Sequence, residues 1–175
     1  DAKGNYQENE YNDEGQVIGL KTTPYSYALD GLWVGDMPQT AYVMGATLTP
    51  IKGLRLQGIL KMYDKNYSDW SPNAREYDGS DADADRSQVW QAPKYNRLDL
   101  HGSYKLPKIG GLDMSINAHI FNALDAVYVQ DAVDNSQYNG YGDKLHLPHN
   151  AEVFLGTPRY ANIGLVVNFL SLIHI

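Results

Sequence analysis

The chain has 175 residues, enough for one domain with its own core, and no cysteine, which excludes a disulfide framework and a thiolate metal site. Its net charge of −7 speaks against a phosphate-binding surface, because nucleic-acid binders draw much of their affinity from clustered Lys and Arg; nucleic acid is not an expected partner. No apolar run reaches the roughly 18 residues of a membrane helix, since the longest, 163–175, is interrupted by Asn168, Ser171 and His174.

Taken in chain order, the first recognisable element is a weak strand pattern over 41–48. From Leu54, one face reads Leu54, Leu56, Gly58, Leu60, Met62 and the other Arg55, Gln57, Ile59, Lys61, Tyr63. That is the period-two alternation of a strand between two different solvents. Over 95–106 it recurs, with Arg97, Asp99, His101, Ser103 and Lys105 opposing Leu98, Leu100, Gly102, Tyr104 and Leu106. Over 112–121, Leu112, Met114, Ile116, Ala118 and Ile120 oppose Asp113, Ser115, Asn117 and His119. The last run sets Ala161, Ile163, Leu165, Val167 and Phe169 against Asn162, Gly164 and Asn168. No segment has a helical period, so an all-β, antiparallel chain is expected.

The connections alternate in length. Those at 49–53 and 107–111 are tight and marked by Pro and Gly, whereas 68–94 and 122–159 are long and rich in Asp, Asn, Gly and Tyr. Loops of that length count against a compact soluble domain, but short periplasmic turns alternating with long extracellular loops are the pattern of outer-membrane barrels. With the short turns in the periplasm, the five strands run down, up, down, up, down and finish there at Phe169. Five strands are too few to close a barrel, so a transmembrane β-barrel fragment is expected, with the remaining strands lying before Asp1.

Several segments resemble one family. Gly35-Asp36-Met37-Pro38-Gln39-Thr40, followed by a strand and Pro50-Ile51-Lys52-Gly53-Leu54, is similar to the late-barrel pattern of TonB-dependent outer-membrane receptors. Ile120-Phe121-Asn122-Ala123-Leu124-Asp125-Ala126-Val127-Tyr128 resembles that family's segment after the penultimate strand, and Gly156-Thr157-Pro158-Arg159 resembles the introduction to its final strand. The resemblance covers about 25–169. It implies the carboxy-terminal strands of a 22-stranded barrel in the outer membrane of a Gram-negative bacterium, with residues 1–169 native and 1–40 largely extracellular loop. It also implies active transport of a nutrient ligand such as a siderophore, a cobalamin-like cofactor or a glycan. Partners implied are the lipid bilayer, the barrel assembly machinery, and the TonB complex acting through an amino-terminal plug. No residues here match a plug or a TonB box. Phe169 would be the terminal aromatic read by the assembly machinery. Residues 170–175 break the alternation and match one reading frame of a common transposase-derived sequencing adapter, so they are expected to be foreign.

Asp99, His101 and Ser103 share a strand face, but neighbours two apart are separated by roughly 7 Å, too far for a catalytic triad. A polar lumen-facing stripe is the expectation, with His119 opposite Asp99 as a structural pair. Asp81, Asp83 and Asp85 begin like a calcium loop, but Arg86 stands where Gly is needed and Ala92 where Glu is needed. His146 and His149 are two ligands where zinc takes three or four, and are expected to be exposed loop residues. No catalytic residue, metal site or cofactor is expected. Trp70, Tyr77, Trp90, Tyr138 and Tyr141, in or beside the long loops, are the ligand-stacking candidates, against an interfacial aromatic girdle or loop packing, which carries slightly more weight. The alternative function is a soluble secreted β-sandwich, a carbohydrate-binding module whose apolar faces meet in a core. An outer-membrane barrel enzyme is a third option.

Overall fold

The computed structural model describes residues 1–78, 80, 82–108, 110–136 and 145–169; segment 170–175, read from sequence as foreign, lies outside them. The described chain is all-β and antiparallel, with no α-helix. It divides into two compact units. The first comprises Asp1–Met37, Tyr67–Ala92 and Asp131–Val153; the second comprises Pro38–Asn66, Pro93–Gln130 and Phe154–Ile175.

The first unit opens with β1 (Ala2–Tyr11) and β2 (Val17–Tyr27), an antiparallel hairpin in a stretch that the sequence marked as largely loop. Asn12 makes the turn: its Oδ1 accepts from the Glu14 and Gln16 amides at 3.1 and 2.9 Å, and Gly15 takes the positive φ of 77°. Apolar Val17, Ile18 and Leu20 fall on both faces of β2, and β1 is mostly polar, so the ribbon carries no sustained hydrophobic alternation.

The second unit holds the five strands expected from periodicity: β3 (Pro38–Leu48), β4 (Leu54–Tyr67), β6 (Tyr95–Lys105), β7 (Asp113–Phe121) and β10 (Tyr160–Asn168). The two-residue β5 (Gln91–Ala92) precedes β6, and β8 (Val129–Asp134) pairs with β9 (Ala151–Leu155). The five strands form an antiparallel meander in the order β3-β4-β6-β7-β10, with β3 and β10 at its edges. Gly53 and the Gly110-Gly111 pair supply the positive φ values, 86°, 60° and 83°, on which the two tight links turn.

Register sorts the side chains into two faces. Ala46, Gly58, Leu100 and Ile120 follow one another across β3, β4, β6 and β7, and Ala161 continues that row on β10. The adjacent row runs Leu48, Leu56, Gly102, Ala118 and Ile163, which makes one continuous apolar face. Gln57, His101, His119 and Asn162 occupy a row of the opposite face. One expected pairing is corrected here: His119 stands opposite His101, not Asp99. The link closes one position later than a turn centred on residue 109 requires, because Leu106 donates to the Met114 carbonyl at 2.9 Å. The partner of every β6 residue therefore moves by two, and the face stays the same.

Burial in this sheet is inverted. Its buried side chains are Asn66 and Asp99, with Asn122 and the Tyr128 ring buried just beyond β7, while no residue of the apolar face is buried; Leu56 and Leu100 are about 40% exposed and Ile163 is 80% exposed. Among the described residues of this unit no second layer covers that face.

Candidate functional site

Two motifs of the second unit fold into one clamp. At the end of β7, Asn122 takes a left-handed φ of 50°, a conformation that Asn tolerates better than most residues. Its side chain closes a local ring, donating to Ala126 O at 2.9 Å and accepting from the Ala126 amide at 3.0 Å. It also reaches Thr157 O at 3.2 Å. Asp125 accepts from the Arg159 amide at 3.1 Å, and their side chains pair at 3.5 Å. Gly156 lies on the Tyr128 ring so closely that a Cβ would overlap it, and its amide donates to Tyr128 O at 2.9 Å. The Asn-Ala-Leu-Asp and Gly-Thr-Pro-Arg segments, which bear the family resemblance, thus bind each other and set where β10 begins.

Beneath the clamp, buried Asp99 is fully engaged. Lys61 Nζ lies at 2.9 Å, the Asn122 amide donates at 3.0 Å, and Arg97 stands 3.7 Å away. Asp99 pairs with cations rather than with a histidine, and the strand-face triad remains ruled out on spacing.

In the first unit the aromatic candidates differ among themselves. Tyr77 is buried, its ring flanked by Lys3 at 5.5 Å and Arg86 at 5.8 Å, so it packs rather than presenting a free face. Trp70 is half-buried, donates from Nε1 to Trp33 O at 2.9 Å and lies under the Arg75 guanidinium. Trp90 is half-buried, and its carbonyl accepts from Ser68. Tyr138, Tyr141 and Asp81 lie outside the described residues. Sequence reasoning missed Trp33, which is 44% exposed and stacks on Tyr67 at 5.8 Å. It follows Gly31 and precedes Gly35, and Gly35 is obligatory because the Asp69 backbone passes where a Cβ would sit.

The same unit holds a buried charge relay. His146, expected to be exposed, is 5% exposed; its Nδ1 meets Asp134 Oδ2 at 2.6 Å and its Nε2 meets Asp85 Oδ2 at 2.8 Å. Arg75, fully buried, reaches the same Asp85 oxygen at 3.1 Å. Burial pushes the Asp85 carboxyl up, but the hydrogen bonds from His146 and the Ser87 amide and the charges of Arg75 and His146 outweigh it, leaving Asp85 below its ordinary range. The third carboxylate of the apparent calcium loop is thus committed to an ion pair. His149 is exposed, and no group of metal-ligating side chains converges among the described residues. Nearby, Asp69, burial and Asp131 together hold the Asp36 carboxyl above its usual value.

No protein-family model matches the chain, and neither a curated protein nor a solved structure shows significant similarity to it.

Proposed function

We propose that the chain supplies part of the wall and the outward loops of an outer-membrane β-barrel, in a receptor of the TonB-dependent kind that imports a scarce nutrient. The observation that carries this reading is the inverted sheet: polar side chains are buried and a continuous apolar face is left uncovered. In water such a face costs about 25 cal/mol per Å² of apolar surface, whereas against lipid tails it is at home.

Three further features support it. The five strands hold 9 to 14 residues, and about 9–11 suffice to cross a bilayer at a tilt. Their meander order is that of an up-and-down barrel, and the unpaired edges of β3 and β10 are what closure would satisfy. The clamp joins two of the motifs on which the family resemblance rests. In this reading the long excursions face outward, and Trp33, Trp70 and Trp90 are the rings placed to meet a ligand. A soluble sandwich would cover the same apolar face with a second sheet.

The test is topological. In intact Gram-negative cells, Asp83→Cys should react with an impermeant maleimide and Lys108→Cys should not. Labelling at Lys108 without labelling at Asp83 overturns the orientation, and recovery of the protein in the soluble fraction overturns the reading itself.

A further inference from the structure

The polar face of the second unit carries a recess of about 630 Å³, within the range of small-molecule sites, about 300–1,000 Å³. Two adjacent rows build it. Gln57, His101, His119 and Asn162 form one row across β4, β6, β7 and β10, and Arg55, Ser103, Asn117 and Gly164 form the next. Each polar side chain here is able to donate a hydrogen bond, and no carboxylate lines the recess. Arg55 makes no hydrogen bond or ion pair among the described residues. Two observations therefore coincide: a free guanidinium and a donor lattice without a counter-charge. We propose that this recess binds a small oxyanion, a phosphate or carboxylate group, held by Arg55 and the His101–His119 pair.

The histidine pair lines the recess beside Arg55. The two Nδ1 atoms are 2.8 Å apart, so one donates and the other accepts. The charged groups around the pair are few. β4 contributes Arg55 and Lys61, β6 contributes Arg97, Asp99 and Lys105, β7 contributes Asp113, and β10 contributes none. Asp99 is held by Lys61 and Arg97, and Asp113 lies 3.9 Å from Lys105 and 3.3 Å from Lys108. Neither carboxylate is free to fill the recess. The inference does not rest on the transport reading, because it follows from the face of the sheet whatever covers the other side.

The experiment titrates inorganic phosphate, and acetate in parallel, into the folded chain in detergent micelles while following the imidazole resonances of His101 and His119. Either anion should shift both rings. Arg55→Gln, an exposed substitution, should weaken binding about tenfold, as expected for loss of one charge-assisted contact. The relative affinities distinguish a phosphate site from a carboxylate site, and either result upholds the proposal. Unmoved resonances, or unchanged affinity in Arg55→Gln, overturn it. So does a recess that takes Zn²⁺ through the two imidazoles while both anions leave it untouched.

Discussion

The two units solve the problem of charge and burial in opposite ways. The first carries five Lys and Arg against 17 Asp and Glu, while the second carries nine against four. The first buries Ala28, Tyr77, Val89, Ala92 and Ala132 and also hides the Arg75–Asp85–His146–Asp134 relay. The second leaves its aliphatic side chains uncovered and hides Asp99 and Asn122. One chain therefore follows two rules for what belongs inside. The difference is understandable if the units face different solvents, an acidic one suited to water and a banded one suited to a bilayer.

The contrast is broken most forcefully from the first unit. Asp85→Asn removes the counter-charge of a fully buried guanidinium, and breaking a buried pair from one side costs about 3–5 kcal/mol. Hydrogen exchange should show amides of 67–92 and 131–136 losing protection while those of β6 and β7 keep theirs. Equal loss in both regions would mean that the units unfold as one. The wild-type relay should also be acid-sensitive. Because the folded Asp85 carboxyl sits below its unfolded value of about 3.8, its contribution is complete above that value. It is lost as pH falls through the folded value, so protection in this unit should decline in strongly acidic buffer.

Next in size is Leu100→Lys, at the centre of β6 on the apolar face. A cation near the midplane of a bilayer costs about 2–4 kcal/mol in a barrel, whereas a surface substitution in water stays within about 0.5 kcal/mol. Assembly into membranes, read as heat-modifiable migration on gels, should fall sharply. Migration like wild type would place that face in water and remove the contrast. The mildest change is Asn122→Ala, which deletes three hydrogen bonds and a favoured left-handed residue. About 1–3 kcal/mol of stability should be lost, detectable as a lower urea midpoint with unchanged slope.

What could be read from sequence follows from the range of the forces involved. The strands β3, β4, β6, β7 and β10 were legible because one face is apolar and the other polar, which impresses a period of two on the chain. The β1–β2 hairpin was not, since its few apolar residues, Val17, Ile18 and Leu20 among them, are spread over both faces. The His101–His119 register was missed by two residues because it depends on where the Gly110-Gly111 link closes, which alternation does not encode. Similarly, His146 gave no sign of burial, as its partners Asp134 and Asp85 lie 12 and 61 residues away. The Asn122 and Gly156 segments stood out as motifs, but their binding to each other spans 35 residues and was invisible until the backbone was in place.

The clamp has a consequence for how such a chain can change over time. Asn122 and Thr157 fasten the two ends of a long excursion directly to the sheet, so residues between Asp134 and His146, beyond the clamp and the relay, can lengthen, shorten or exchange without shifting the register of β10. Closing a loop costs only about 0.6 kcal/mol more for each doubling of its length. A large insertion between these anchors is therefore a small perturbation beside the bonds that hold the anchors themselves. The excursion is in this sense a replaceable module on a fixed mount, and variation among natural variants should concentrate between Asp134 and His146 while the mount stays constant.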